Sequence, residues 1–465
     1  MNCAYLLAAI ILMLVVHFLP TPAPVGQSGN SVELTVQGKA CLAILAFAVV
    51  LWVSEALPFA VTSLFVLLLI PAFGIEEYAE VVRVGFGNPI ITFFLGVLLL
   101  SAAFTRSGLG PRLALEILRK VGTRTDRVLL GFLTVGAALS MWITDMAVAA
   151  MLLPLGVGVL RDAELKPLES NFGRALMIAC AFGPLIGGIA TPAGTGANPI
   201  ALSYLEDLAG IEISFLEWMR YGLPAAILMI PCAWQILLRL FPPELERLPI
   251  EPGELDERLE AMGPLGPTEI KTLVVFALTI TLWLTTSLPI QAVALFGGIS
   301  LFLPGMSVMT WKEAQADVDW GGILLIVAGL SLGMMVYQTG AAEWLALVLM
   351  GGMGDVSPLL RPFLIVLGVA LLHLLFSSNT VTSTIIMPIL IALAASLDMD
   401  AWSLAGPAAF TSSLAFILVT ESPTNVVPYS SGYFSIRDMA KAGVPMTLLA
   451  AVCVSVSMLV NGAFA

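Results

Sequence analysis

Apolar residues fall in long runs, at 3–20, 40–57, 58–73, 88–105, 128–160, 175–205, 221–241, 272–288, 290–305, 321–338, 362–395, 404–430 and 442–463. A helix that crosses a bilayer needs about 20 such residues, whereas a barrel strand would alternate over about ten. The pattern predicts an all-α polytopic membrane protein. Most runs fit one span each. The runs 128–160 and 362–395, of 33 and 34 residues, are too long for one span and too short for two spans with a turn. Each has a polar cluster near its middle, Thr144-Asp145 in the first and Ser377-Ser378-Asn379-Thr380 in the second. Polar, non-helical backbone at membrane depth is tolerated only where protein or a water-filled cavity surrounds it. Both runs are therefore read as re-entrant helical hairpins with polar tips.

Two further runs are interrupted. Residues 175–205 contain Thr191-Pro192-Ala193-Gly194-Thr195-Gly196-Ala197-Asn198-Pro199, and 404–430 contain Glu421-Ser422-Pro423-Thr424-Asn425. Proline removes a backbone donor and glycine permits unwound backbone, so these are spans broken in the middle, with free carbonyl and N–H groups for ions. The order single span, hairpin, broken span, intact span occurs twice, and Phe94–Leu109 resembles Val327–Ala341 in sequence. The domain reading is an N-terminal scaffold (1–87), a first repeat (88–241), a charged linker (242–270), further scaffold helices (271–320) and a second repeat (321–465). With the N-terminus inside, sixteen Lys and Arg fall in inner loops and four in outer loops, as the positive-inside rule requires. Basic residues flank the first hairpin on both sides, so the chain returns to the face it left. The second hairpin opens outward, and the two repeats are inverted. The expected count is about eleven spans and two hairpins in the cytoplasmic (inner) membrane, the run 3–20 being the first span rather than a signal peptide because no Lys or Arg precedes it.

Composition removes other classes. Of 465 residues, 59% are apolar and 11% charged, and the net charge is −12. That excludes a soluble globule and argues against a nucleic-acid partner. The five cysteines are scattered with no CxxC pair, and only His17 and His373 exist, so zinc or triad chemistry is not expected. HExxH and GxxxxGK[ST] are both missing. The chain reads as a transporter rather than an enzyme, and no cofactor is expected beyond coupling ions.

Several stretches carry a family resemblance. They are Trp52-Val53-Ser54-Glu55-Ala56-Leu57-Pro58, Asn88-Pro89 with Ser107-Gly108-Leu109, Ala190-Thr191-Pro192 with Gly194-Thr195 and Asn198, Ser378-Asn379-Thr380, and Ser431-Gly432-Tyr433-Phe434 through Lys441-Ala442-Gly443. Together they resemble the divalent anion/sodium symporters, which carry dicarboxylates, citrate or sulfate. The resemblance implies an elevator-type homodimer in which two Ser-Asn-Thr tips and two Thr-Pro breaks meet at mid-membrane around substrate and two sodium ions. It places substrate contacts on Thr144, Asp145, Thr191, Pro192, Ser378, Asn379, Thr380, Ser422 and Pro423. Sodium would sit among Ser140, Thr144, Asp145, Gly194, Ser377, Asn379 and Glu421.

The departures carry as much information. The first tip reads Thr144-Asp145-Met146 where the family has Ser-Asn-Thr, and the second break reads Glu421-Ser422-Pro423 where it has Ala-Thr-Pro. Two acids enter the expected site, and an acid inside a membrane is functional by default. They would either strengthen sodium sites or exchange protons, and they predict cation-first binding or a substrate less anionic than usual. The expected function is cation-coupled uptake of a small anion. The alternative is a sodium/proton antiporter using Asp145 and Glu421. Glu55, a third acid, is read as a brace between helices.

Overall fold

The computed structural model describes residues 2–26, 31–249 and 254–462. Among the described residues every regular element is helical, with only isolated β-bridges besides. Residues 250–253 of the expected linker and 27–30 of the N-terminal region lie outside the described residues.

The chain begins with α1 (Asn2–Phe18), packed along α2 (Val36–Ser54), and α3 (Phe59–Ala72). Thr35 caps α2 by accepting from the Gly38 N–H at 2.8 Å. The helix stops at Glu55, in a left-handed turn (φ 49°) ahead of Leu57-Pro58. Glu55 is exposed there and does not brace two helices, a correction to the expectation from sequence.

The run 88–105 proves to be the middle piece of a three-part segment: α4 (Tyr78–Phe86), α5 (Ile90–Arg106) and α6 (Leu109–Val121). Asn88-Pro89 bends α4 against α5 by 42°. Gly108, at φ 80°, turns α5 into α6, a conformation only glycine adopts at no cost. The first long run folds as the hairpin α7 (Thr125–Ser140) and α8 (Asp145–Asp162). The first interrupted run is α9 (Asn171–Gly188) and α10 (Ala197–Ala209), followed by the long α11 (Phe215–Leu240).

After the short α12 (Glu254–Ala261) come α13 (Pro267–Thr285) and α14 (Ile290–Ser300). A second three-part segment follows, α15 (Trp311–Asp317), α16 (Trp320–Gln338) and α17 (Ala341–Met350), with Gly340 at φ 75° in the place Gly108 holds in the first. The second hairpin is α18 (Arg361–His373) and α19 (Asn379–Ser396). The second interrupted run is α20 (Ala401–Thr411) and α21 (Pro423–Tyr429), and α22 (Ile436–Val460) closes the chain.

Six helices among the described residues are long and apolar enough to cross a membrane unaided, or seven if the bent α4–α5 pair is one span. The other apolar segments are short or broken, so helix length alone does not reach the eleven spans expected from sequence.

The main core joins both hairpins, both broken segments, α11 and α22. Helix α9 is buried from Phe172 to Gly188 apart from Arg174, as an all-round apolar helix must be. Small residues let its neighbours in: a Cβ on Gly187 would lie 2.0 Å from the Ala137 carbonyl of α7. The repeat is visible in the packing. Gly222 of α11 sits on the Ile189 carbonyl at the first break, and Gly443 of α22 sits on the Phe416 carbonyl at the second.

Candidate functional site

Each broken segment is held open by an asparagine. Asn198 Nδ2 donates to the carbonyls of Gly188 and Thr191, both at 2.8 Å. Asn425 Nδ2 donates to those of Ala415 and Leu418, at 2.7 and 3.0 Å. The acceptors stand ten and seven residues back in both cases. Carbonyls freed by the end of a helix need donors when buried, and one side-chain amide serves two of them. This common geometry also fixes which residues correspond: Thr195-Gly196-Ala197-Asn198 matches Ser422-Pro423-Thr424-Asn425.

The hairpin tips meet these breaks. Asp145, the first residue of α8, donates its N–H to the Gly194 carbonyl at 3.1 Å. Asn379, the first residue of α19, donates from Nδ2 to Asp145 Oδ2 at 3.1 Å. Asp145 Oδ1 accepts from the Met146 N–H at 2.8 Å, and the Thr424 side chain faces the same carboxylate. Ser383, one turn into α19, donates to the Ala197 carbonyl at 3.0 Å, so the second tip also leans on the first break.

The tips and breaks wall a cavity of about 770 Å³. Thr144, Asp145, Ser378, Asn379, Thr380, Ser422 and Pro423 all line it. The starts of α8, α10, α19 and α21 reach its wall, and helix starts carry a partial positive charge that favours anions. Met146 also faces it, half exposed, as do Thr195, Gly196 and Thr424, which sequence reasoning did not assign to the site. Arg106, Asp317 and Asp319 line it as well, and no sequence motif marks any of these three. Arg106 Nη2 donates to Asp317 Oδ1 at 3.1 Å, and its Nη1 lies 3.6 Å from Glu313.

The remaining expected site residues lie outside the cavity wall. Thr191 donates to the Met141 carbonyl and accepts from the Ala193 N–H, which stitches the break to the first tip. Pro192 is buried in that break. Ser377 is turned away: its hydroxyl donates to the Trp52 carbonyl of α2 at 3.1 Å. Ser140, Gly194 and Glu421 are buried behind the tips and breaks. Buried oxygens at the tips and breaks that have no hydrogen-bond partner include Ser140 Oγ, Asn379 Oδ1, Glu421 Oε1 and Asn425 Oδ1, although Glu421 Oε2 accepts from the Ile417 N–H at 3.1 Å. Among the described residues no three His, Cys, Asp or Glu come together, so the donors are chiefly neutral oxygens, which suit a hard alkali cation better than a transition metal.

The whole-chain comparison decides the family. The model of the sodium:sulfate symporter transmembrane region matches residues 1–463. The chain belongs to the sodium:sulfate symporter family. Members are transporters rather than enzymes, and this one is an integral membrane protein. Among similar curated proteins are the sodium-dependent dicarboxylate transporters SdcS of Staphylococcus saprophyticus and Staphylococcus aureus. The first is 32% identical over 91% of this chain and 86% of its own length, the second 30% over 91% and 85%. In fold this chain is similar to the YdaH transporter of Alcanivorax borkumensis, with a TM-score of 0.56 at 14% identity, covering 100% of this chain and 98% of that one. It is also similar to MtrF of Neisseria gonorrhoeae, with a TM-score of 0.55 at 12% identity, covering 99% and 94%.

Proposed function

We propose that this protein is a secondary active transporter in which sodium drives uptake of a small carboxylate-bearing anion across the cytoplasmic membrane. The observation that carries the reading is the junction of Asp145 and Asn379. It brings the two inverted tips to one cavity lined by hydroxyls and helix starts, with unpartnered oxygens buried behind it. The relatives named sodium-dependent dicarboxylate transporters support sodium and a carboxylate cargo.

In this reading one cation sits among Ser140, Thr144, Asp145 and Gly194. A second sits by Asn379 and Glu421, with Ser377 contributing only once its bond to Trp52 is released. Thr191 and Pro192 shape the break that faces the substrate, while Ser378, Thr380, Ser422 and Pro423 contact it. Eleven spans and two re-entrant hairpins, with the N-terminus in the cytoplasm, accommodate the apolar runs. The hairpins, α9–α11 and α20–α22 move as one body past α1–α6 and α13–α17, in a homodimer.

The experiment is uptake into proteoliposomes of succinate, citrate, sulfate and taurine, each with and without a sodium gradient and a pH gradient. Sodium-driven accumulation of any of them supports the reading, and accumulation of none overturns it. A second reading, sodium/proton exchange, is favoured by one observation: among the described residues neither the Asp145 nor the Glu421 carboxylate is in an ion pair, and the buried imidazole of His373 faces the Glu421 backbone. Sodium efflux driven by a pH gradient with no organic solute present would establish it.

A further inference from the structure

We propose that the substrate carries an ammonium group beside its carboxylate, and that Asp145 is the residue that selects for it. This rests on the transport reading above and narrows its substrate class to amino acid-like zwitterions and their singly negative relatives.

The first argument is the chemistry of the cavity wall. The two asparagine cradles place the repeats in register, so their contributions can be compared position by position. The second repeat offers Ser378, Asn379, Thr380, Ser422 and Thr424, four hydroxyls and an amide. The matching positions of the first repeat hold Thr144, Asp145, Met146, Thr195 and Ala197. The half with Asn379 and Thr380 can donate to a carboxylate. At the same two positions the first half presents Asp145 and Met146, a charged acceptor and a thioether, which cannot, and its hydroxyls are reduced to those of Thr144 and Thr195. A plain dicarboxylate has two alike ends, whereas the cavity has two unlike ones. A ligand with a carboxylate at one end and N–H donors at the other fits both.

The second argument is charge. Arg106, the cationic side chain among the described lining residues, is engaged by Asp317 and Glu313. Asp145 instead faces an amide, a backbone N–H and a hydroxyl. Glu421 adds a second buried carboxylate behind the opposite break. Each of these acids offsets one coupling cation that would otherwise balance the charge of the cargo. A dianion would then enter a cavity whose coupling cations are already balanced by carboxylates, which leaves part of its own charge uncompensated. An ammonium group beside Asp145 supplies that compensation.

The test uses the full chain in proteoliposomes under a fixed sodium gradient, with two pairs matched in length: succinate against aspartate, and glutarate against glutamate. The amino compound of each pair should be taken up at least about tenfold better. Asp145→Asn should reverse or abolish that preference. If that variant fails to assemble, competition of each pair against a transported tracer in the unaltered protein answers the same question. Preference for the plain dicarboxylates overturns the inference and leaves the transport reading standing, with sodium alone meeting the charge of Asp145. In that case Asp145→Asn weakens sodium dependence without changing the order of substrates. If none of the four is taken up, and neither is citrate, sulfate or taurine, the transport reading and this inference fall together; uptake of one of those three alone overturns this inference only.

Discussion

Asn379 donates its amide to the carboxylate of Asp145, 3.1 Å away, across 234 residues of chain. One hydrogen bond thereby joins the first residues of two helices from opposite repeats.

The polarity of that bond should be exchangeable but not its charge count. Asn379→Asp sets two carboxylates face to face and should lower uptake by about 10²-fold, since like charges at such a contact cost several kcal/mol. The double variant Asp145→Asn with Asn379→Asp restores one amide and one carboxylate. It should recover a substantial part of the uptake, measured as initial rates in proteoliposomes. A double variant as inactive as the single one would show that the pair does not act through its shared charge.

The asparagine cradles should be structural before they are anything else. Asn198→Ala and Asn425→Ala each leave two buried carbonyls without a donor, costing about 2–4 kcal/mol. Thermal unfolding of the purified protein should show comparable losses for the two, because the geometry is the same at both breaks. Replacement by leucine should not rescue either one.

Two glycines should separate folding from binding. Gly187→Ala drives a methyl group to 2.0 Å from the Ala137 carbonyl, a backbone atom that cannot yield. It should destabilise the α7–α9 contact by about 3 kcal/mol or more and reduce expression. A Cβ on Gly196 instead meets the tip of the Thr380 side chain at 2.9 Å, which can rotate away. Gly196→Ala should leave the unfolding temperature near the wild-type value and raise the substrate concentration for half-maximal uptake by about tenfold.

Away from the cavity, Arg112 of α6 and Glu269 of α13 form a buried ion pair at 2.6 Å, and Arg112 also donates to the carbonyls of Gly263 and Met262. Breaking the pair by Glu269→Ala strands a buried guanidinium and should cost about 3–5 kcal/mol. Replacing both partners with apolar residues, as in Arg112→Met with Glu269→Leu, should cost less than the single change. Unfolding curves of the two variants check the order.

Much of this fold was legible from run length and interruption alone. A 33-residue apolar run with Thr144-Asp145 at its centre leaves few options besides a hairpin, and Pro192 with Gly194 and Gly196 announces unwound backbone. The short helices α4, α6 and α15 were not legible, because their pattern is mixed and each is defined by a bend or a glycine turn rather than by its own hydrophobicity, and α17 is apolar but, at ten residues, too short to be read as a span. The orientation of single polar residues was also beyond the sequence. Ser377 and Ser378 are neighbours in one polar cluster, yet one reaches α2 and the other the cavity, since backbone conformation at the tip decides where each points. Asn198 and Asn425 were visible within the breaks, but their common task emerged only from the matching acceptors ten and seven residues before each.

The hydroxyl of Ser377 has a consequence for mechanics. The carbonyls in the last turn of α2 have no partner within their own helix, and the Trp52 carbonyl receives its donor from the tip of the second hairpin. The end of one helix is thus completed by a residue 325 positions away. In the rigid-body movement proposed above, sliding this hairpin along α2 would undo the finish of that helix at the same moment, and the bond would act as a detent holding the hairpin at one stop.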